Sequence, residues 1–221
     1  MIKGVIYDMD GVLVDSEPLY HEFEYMFFKN LGANVTIDYF DKYVGCSLEN
    51  TINGVCADFN INTIPKESIM KIFSKGAELI YSDNPKLHIC EGVVDWLEFF
   101  KANNYPLIVA SSTYREKVEI SLERFNLKQY FTNYICGDEV KKAKPDPEIF
   151  LKACDELNLK PSECLVIEDS ENGIKAAKNA GCLAIGFLNK GKNSQNLALA
   201  DFVFDTFGKE KLPMLKKILN M

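Results

Sequence analysis

Long apolar runs are missing from this 221-residue sequence, and that absence narrows its class first. A bilayer-spanning helix needs ~20 consecutive apolar residues. The longest pure runs are of the size of LIVA, Leu107 to Ala110, so no membrane partner is expected. The amino terminus, MIKGVIYDMDG, reaches Asp8 before the apolar region of a secretory signal could develop, which predicts a cytoplasmic location. Paired cysteine motifs are also missing. The seven cysteines are odd in number and form no CxxC, so they read as scattered small hydrophobes in a reducing compartment, with neither a disulfide framework nor a zinc site. The sequon Asn34-Val35-Thr36 is then unused. Positive charge is scarce: 25 Lys plus Arg face 32 Asp plus Glu, a formal charge of −7, which argues against a nucleic-acid partner. The only compact basic cluster is KKAK, Lys141 to Lys144, and by default such a run is solvated surface. There is no internal repeat.

What is present is an ordinary globular composition, 47% hydrophobic and 26% charged, which excludes disordered, collagenous and low-complexity classes. Short runs rich in Val, Ile and Phe predict strands at Lys3–Tyr7, Pro106–Ala110, Asn133–Cys136, Cys164–Ile167, Cys182–Phe187 and Phe202–Phe204. Helical spacing fills the gaps at Val93–Asn103, Tyr114–Phe125, Pro147–Leu157, Gly173–Ala180 and Lys211–Leu219. Alternation of this kind predicts an α/β fold, a doubly wound parallel sheet covered on both faces. One region breaks the pattern. Between Asp15 and Lys86 four helix-length segments follow one another, Pro18–Leu31, Asp38–Tyr43, Leu48–Phe59 and Lys66–Tyr81, with apolar residues at steps of three and four. They predict a helical bundle inserted after the first strand, returning through the turn residues Ser82 to Lys86.

Open parallel sheets place their ligands beyond the carboxyl ends of the strands. Four such ends are polar here: Asp8-Met9-Asp10-Gly11, Ser111-Ser112-Thr113, Gly137-Asp138 followed by Lys144-Pro145-Asp146, and Glu168-Asp169-Ser170. Each has a plain structural reading. Asp-Gly after a strand is a turn, Ser111 a helix cap, Lys144 a solvated charge, and Glu168-Asp169 a cap for the helix near Gly173. An EF-hand fails, because Val12 and Leu13 stand where that loop needs Asp or Asn and Gly. The joint arrangement is harder to dismiss, since a parallel sheet would bring all four ends to one patch. Carboxylates gathered there repel one another, and a hard cation such as Mg2+ relieves the repulsion, with Asp8 and Asp169 as candidate ligands.

The segments VIYDMDGVLVDSEP, VASST, KAKPDPEIF and VIEDSENGIKAAKNAG resemble, in order, the four motifs of the haloacid dehalogenase superfamily, in the branch that contains beta-phosphoglucomutase and related sugar phosphatases. The resemblance implies a catalytic core of residues 1–14 and 87–221 and an inserted four-helix cap of residues 15–86. It implies that Asp8 is the nucleophile at phosphorus, giving an aspartyl phosphate, and that Asp10 is the general acid and then the general base. It places Mg2+ on Asp8, the Asp10 carbonyl and Asp169, with Glu168 nearby, and the phosphate on Ser111 and Lys144, with Ser112 the alternative to Ser111.

Substrate choice falls to the cap. The loop Gly45-Cys46-Ser47-Leu48 looks like the family's cap specificity loop, but Leu48 stands where beta-phosphoglucomutase carries an arginine for a second phosphate. The expectation is therefore a monomeric Mg2+-dependent phosphatase of a small phosphorylated metabolite, a sugar phosphate by family analogy. Its alternatives are a phosphosugar mutase and a non-catalytic phospho-ligand sensor. Glu17 and His21 are cap residues within reach of the site, although a lone helical histidine is more often structural. Gly186 to Asn193 nearly matches a nucleotide-binding P-loop, yet Asn193 replaces the metal-binding hydroxyl and only a short helix follows, so this rival is set aside.

Overall fold

In the computed structural model the described residues are 1–44, 46–191 and 195–221. Six strands, β1 (Gly4–Tyr7), β2 (Leu107–Ser111), β3 (Asn133–Cys136), β4 (Cys164–Glu168), β5 (Leu183–Phe187) and β6 (Phe202–Phe204), form one sheet in the order β3-β2-β1-β4-β5-β6. Every pairing is parallel. All residues of β1, β2 and β4 are buried, as continuous apolar runs at the centre of such a sheet must be.

Side chains alternate between the two faces. Val5, Tyr7, Val109 and Ile167 join one core with Trp96, Leu97 and Phe100 of α4 (Val93–Ala102), Val118 and Leu122 of α5 (Arg115–Arg124) and Leu215 of α8 (Leu212–Ile218). Ile6, Ile108, Ala110 and Val166 join the other, against Ile149 and Phe150 of α6 (Glu148–Glu156) and Ile174 and Ala177 of α7 (Glu171–Ala180). Sequence and structure agree on the doubly wound sheet, with strand ends differing by one residue. The shift matters at β2 and β4, which extend through Ser111 and Glu168.

The insertion holds α1 (Glu17–Asn30), a 3-10 helix (Ile37–Tyr43), α2 (Leu48–Asp58) and α3 (Lys66–Asp83). Its own core gathers Phe28, Phe40, Ile52, Val55, Ile69 and Phe73. The second expected helix is thus a 3-10 segment. Its sequence, IDYFDKY, contains few good helix formers and has too few residues to repay α-nucleation, while burial of Phe40 fixes its position. The end of α3 leaves this bundle: Ala77, Ile80 and Tyr81 pack into the core on the α4/α5 face of the sheet. Arg124 of α5 donates to the carbonyls of Tyr81 (3.0 Å) and Asn84 (2.6 Å), filling acceptors that the end of α3 leaves free.

The two connections between bundle and sheet run side by side, joined by an antiparallel bridge between Val14 and Ile89. Asp15 N donates to His88 O at 2.9 Å and Cys90 N to Leu13 O at 3.0 Å. All seven cysteines are free thiols. No helix among the described residues is long and apolar enough to cross a membrane.

Candidate active site

The parallel register does the assembling. Tyr7 pairs with Val109 and Ile167, so Asp8, one residue on, lies level with the ends of β2 and β4. Lys144 arrives from the loop between β3 and α6 and is 3% exposed, which overturns its default reading as a solvated charge. Its Nζ donates to Asp8 Oδ1 at 2.7 Å, to Glu168 Oε1 at 2.6 Å and to the Ala110 carbonyl at 3.3 Å. Its neighbours Lys141 and Lys142 stay exposed.

Asp8, Glu168 and Asp169 each offer a carboxylate oxygen within 4.8 Å of the others, and all three are buried. Two glycines make room for them. Gly11 has φ +73°, and a Cβ there would lie 1.9 Å from Asp169 Oδ2. A Cβ on Gly173 would lie 1.8 Å from Glu168 Oε1. The cap reading of Glu168-Asp169 gives way to a different arrangement: Ser170 caps α7 by accepting from Gly173 N at 3.0 Å, and its own N and Oγ donate to Glu168 Oε2 at 2.8 and 2.9 Å.

Burial pushes the Asp8 carboxyl up to about 8; Lys144 pulls it back, and Glu168 and Asp10 add to the rise. Asp169 is raised well above the usual carboxylate range by burial and then by Glu168, Glu17 and Asp8. Burial works against the Lys144 ammonium, but the two carboxylates outweigh it and its pKa is raised. The cluster is short of positive charge, and its oxygen-only donors suit a hard divalent cation.

Asp10 faces the insertion. It accepts hydrogen bonds from Ser16 Oγ and Tyr81 OH at Oδ1, and from Thr113 Oγ1 at Oδ2 (2.8 Å). Tyr20 OH donates to Tyr81 OH at 3.1 Å. Sequence reasoning did not single out Tyr81, Tyr20 or Ser16. Thr113 was visible as the last residue of a polar strand end, but nothing local to a tyrosine in the last turn of α3 marks it as a partner of Asp10. Ser111 does not cap α5, whose cap position is Tyr114; its Oγ accepts from Thr113 N at 3.1 Å.

A cavity of about 170 Å³ opens above these groups, lined on the sheet side by Asp8, Asp10, Ser111, Ser112, Lys144 and Asp169. From the insertion come Glu17, His21, Glu24 and Leu48. Glu17 and His21 therefore reach the site, and Glu24 joins them unanticipated: it follows His21 by three residues on the same face of α1. Ser47 caps α2, accepting from Asn50 N at 3.3 Å. Gly45 of the cap loop, and Lys192 and Asn193 of the P-loop-like segment, lie outside the described residues.

Three buried carboxylates around one ammonium, at the carboxyl edge of a parallel sheet and on the floor of a cavity walled by the inserted helices, make up the candidate enzyme centre. The chain belongs to the haloacid dehalogenase-like hydrolases, whose family profile matches residues 5–187. It is 33% identical over 219 residues to the phosphorylated carbohydrates phosphatase of Thermotoga maritima, covering 99% of this chain and 100% of that one. It is 28% identical to the beta-phosphoglucomutase of Bacillus subtilis, over 84% of this chain and 83% of that one. In fold it is similar to the crystal structure of beta-phosphoglucomutase from Clostridium difficile, with a TM-score of 0.83 at 23% identity, covering 100% of this chain and 98% of that one. By class it is a phosphoric monoester hydrolase.

Proposed function

We propose that the protein is a Mg2+-dependent phosphatase of a small phosphorylated metabolite, a sugar phosphate, and that it works through an aspartyl phosphate on Asp8. The observation that carries this reading is the Lys144 bridge between Asp8 and Glu168, with Asp169 beside it and Asp10 two residues on, facing the cavity. Residues 1–14 and 87–221 act as the core and residues 15–86 as the cap. A reducing, cytoplasmic setting and a monomeric state belong to the same reading, and the free thiols are compatible with the first.

An Asp8 oxygen forms a bond to phosphorus as the ester P–O bond breaks, and the Asp10 carboxyl delivers its proton to the departing alkoxide. Asp10, now a carboxylate, takes a proton from water as that water's oxygen attacks the phosphoryl group. Phosphate leaves and Asp8 is free again. Lys144 and Ser111 hold the transferring oxygens, with Ser112 at the margin. Asp8, Asp169 and the Asp10 carbonyl would hold Mg2+, with Glu168 behind them because both of its oxygens are occupied by Lys144 and Ser170. Held there, such an ion would supply positive charge that keeps Asp8 ionised and offsets charge on the phosphoryl oxygens.

The phosphatase relatives support hydrolysis of a phosphorylated carbohydrate. The mutase relative supports a second reading. Leu48 weighs against it, since an apolar side chain in the cavity wall cannot grip a second phosphate. Supplied with beta-glucose 1-phosphate and its bisphosphate primer, the protein is expected to release inorganic phosphate; glucose 6-phosphate as the main product would establish the mutase. Hydrolysis of p-nitrophenyl phosphate with Mg2+ is expected to vanish in Asp8→Asn and to fall roughly 10²- to 10⁴-fold in Asp10→Asn. Near-normal rates in either variant would overturn the assigned roles, and no turnover by the unaltered protein over a broad panel would favour the sensor.

A further inference from the structure

The outer wall of the cavity carries chemistry that phosphate transfer does not use. Glu24 on α1 is only 8% exposed and lines the cavity. Its carboxyl has no hydrogen-bond or ion-pair partner among the described residues. Burial pushes it up to about 8, the behaviour of a carboxyl with nothing opposite to balance its charge. Glu17 lies about two turns earlier on the same face of α1, and the rings of Tyr20, Phe40, Tyr43 and Phe73 also line the cavity.

Both lysines that line the cavity among the described residues have carboxylate partners. Lys144 is bound to Asp8 and Glu168, and Lys117, also in the wall, donates to Glu116 Oε2 at 2.7 Å. Burial lowers the His21 imidazole, although Asp41 and Asp38 pull the other way. Apart from those two paired lysines, a second anion on a leaving group would meet carboxyls and ring faces. A leaving group carrying an ammonium would meet an unpaired buried carboxyl and aromatic surfaces that attract cations.

We infer, building on the phosphatase reading, that the natural substrate is the phosphomonoester of an alcohol that also carries an ammonium group, an amino sugar or amino alcohol, and that Glu24 pairs with that ammonium.

The test compares glucosamine 6-phosphate with glucose 6-phosphate, which differ by an amine in place of one hydroxyl, in the full-length protein with Mg2+. The expected kcat/KM ratio is about tenfold or more in favour of the amine, carried mainly by KM, since a differential of 1.4 kcal/mol is a factor of ten. In Glu24→Gln the ratio is expected to approach one. A ratio at or below one in the unaltered protein overturns the inference, and so does a ratio that survives in Glu24→Gln. If Glu24→Gln does not fold, Glu24→Met gives the same comparison, and the ratio in the unaltered protein remains decisive by itself. The two readings fail separately. Loss of all Asp8-dependent p-nitrophenyl phosphate hydrolysis sinks the phosphatase, whereas brisk hydrolysis with no preference for the amine sinks only the ammonium.

Discussion

Lys144 shows how much one residue can be asked to do. Its ammonium sits between two buried carboxylates that would otherwise repel, and burial, which normally drives a lysine towards neutrality, is outweighed by them. Removing one member of such a pair leaves uncompensated buried charge, at a cost of ~3–5 kcal/mol. Lys144→Met is therefore expected to lose stability on that scale in urea unfolding, with Mg2+ restoring part of it; a loss below 1 kcal/mol would show that the carboxylates do not depend on the lysine. Glu24 makes a residue-scale prediction with the opposite sign. Its folded pKa, about 8, lies above the ordinary 4.5, so the protonated form is favoured by folding. That contribution is complete below pH 4.5 and is lost progressively as pH rises towards 8. Thermal unfolding should find Glu24→Gln gaining on the unaltered protein across that window, and a gap that is flat or narrows with pH contradicts the buried, unpaired state of the carboxyl.

At the scale of elements, the first turn of α7 is shaped by the site next to it. Gly173 lies in a helix, where alanine is ordinarily preferred by about 1 kcal/mol. Yet the space a Cβ needs is filled by the Glu168 carboxyl, so the steric term decides. Gly173→Ala is expected to lower kcat/KM sharply by displacing Glu168 from Lys144 and Ser170, measured by Mg2+-dependent p-nitrophenyl phosphate hydrolysis. Full activity would mean that the carboxylate can move aside without consequence. The end of α3 is shaped in the same way by its neighbours: Arg124 fills its terminal carbonyls, and Tyr81, in its last turn, reaches Asp10. One helix thus belongs to the bundle at its start and to the carboxyl edge of the sheet at its end.

For the whole molecule, the sheet edge supplies charge and the insertion covers it, so a divalent ion binding the carboxylate cluster stabilises only the folded chain. A ligand at 100 times its Kd adds about 2.7 kcal/mol when it ignores the unfolded state. Tm is therefore expected to climb with Mg2+ concentration, and to climb much less in Asp169→Asn. Equal shifts in the two proteins would remove Asp169 from the ion's ligands. Contacts such as Asn189 Nδ2 donating to Asp15 Oδ1 (3.2 Å) and Asn172 Nδ2 to Cys46 Sγ (3.3 Å) tie sheet and insertion together at the rim of the cavity.

By itself the sequence determined the alternation of strand and helix, the inserted helices and the strand ends Asp8, Ser111 and Glu168, because apolar periodicity and turn chemistry are local properties. The order of the motifs added the family. The resemblance also marked Lys144 as a site residue, but tertiary structure alone decided that its ammonium bridges Asp8 and Glu168, that Tyr81 and Thr113 hold Asp10, and that Glu24 faces the cavity with no partner among the described residues. Each of those depends on which distant surfaces meet. A charge has no periodicity of its own, and whether it is solvated, paired or stranded is settled by neighbours distant in sequence, as Asp8 is 136 residues from Lys144.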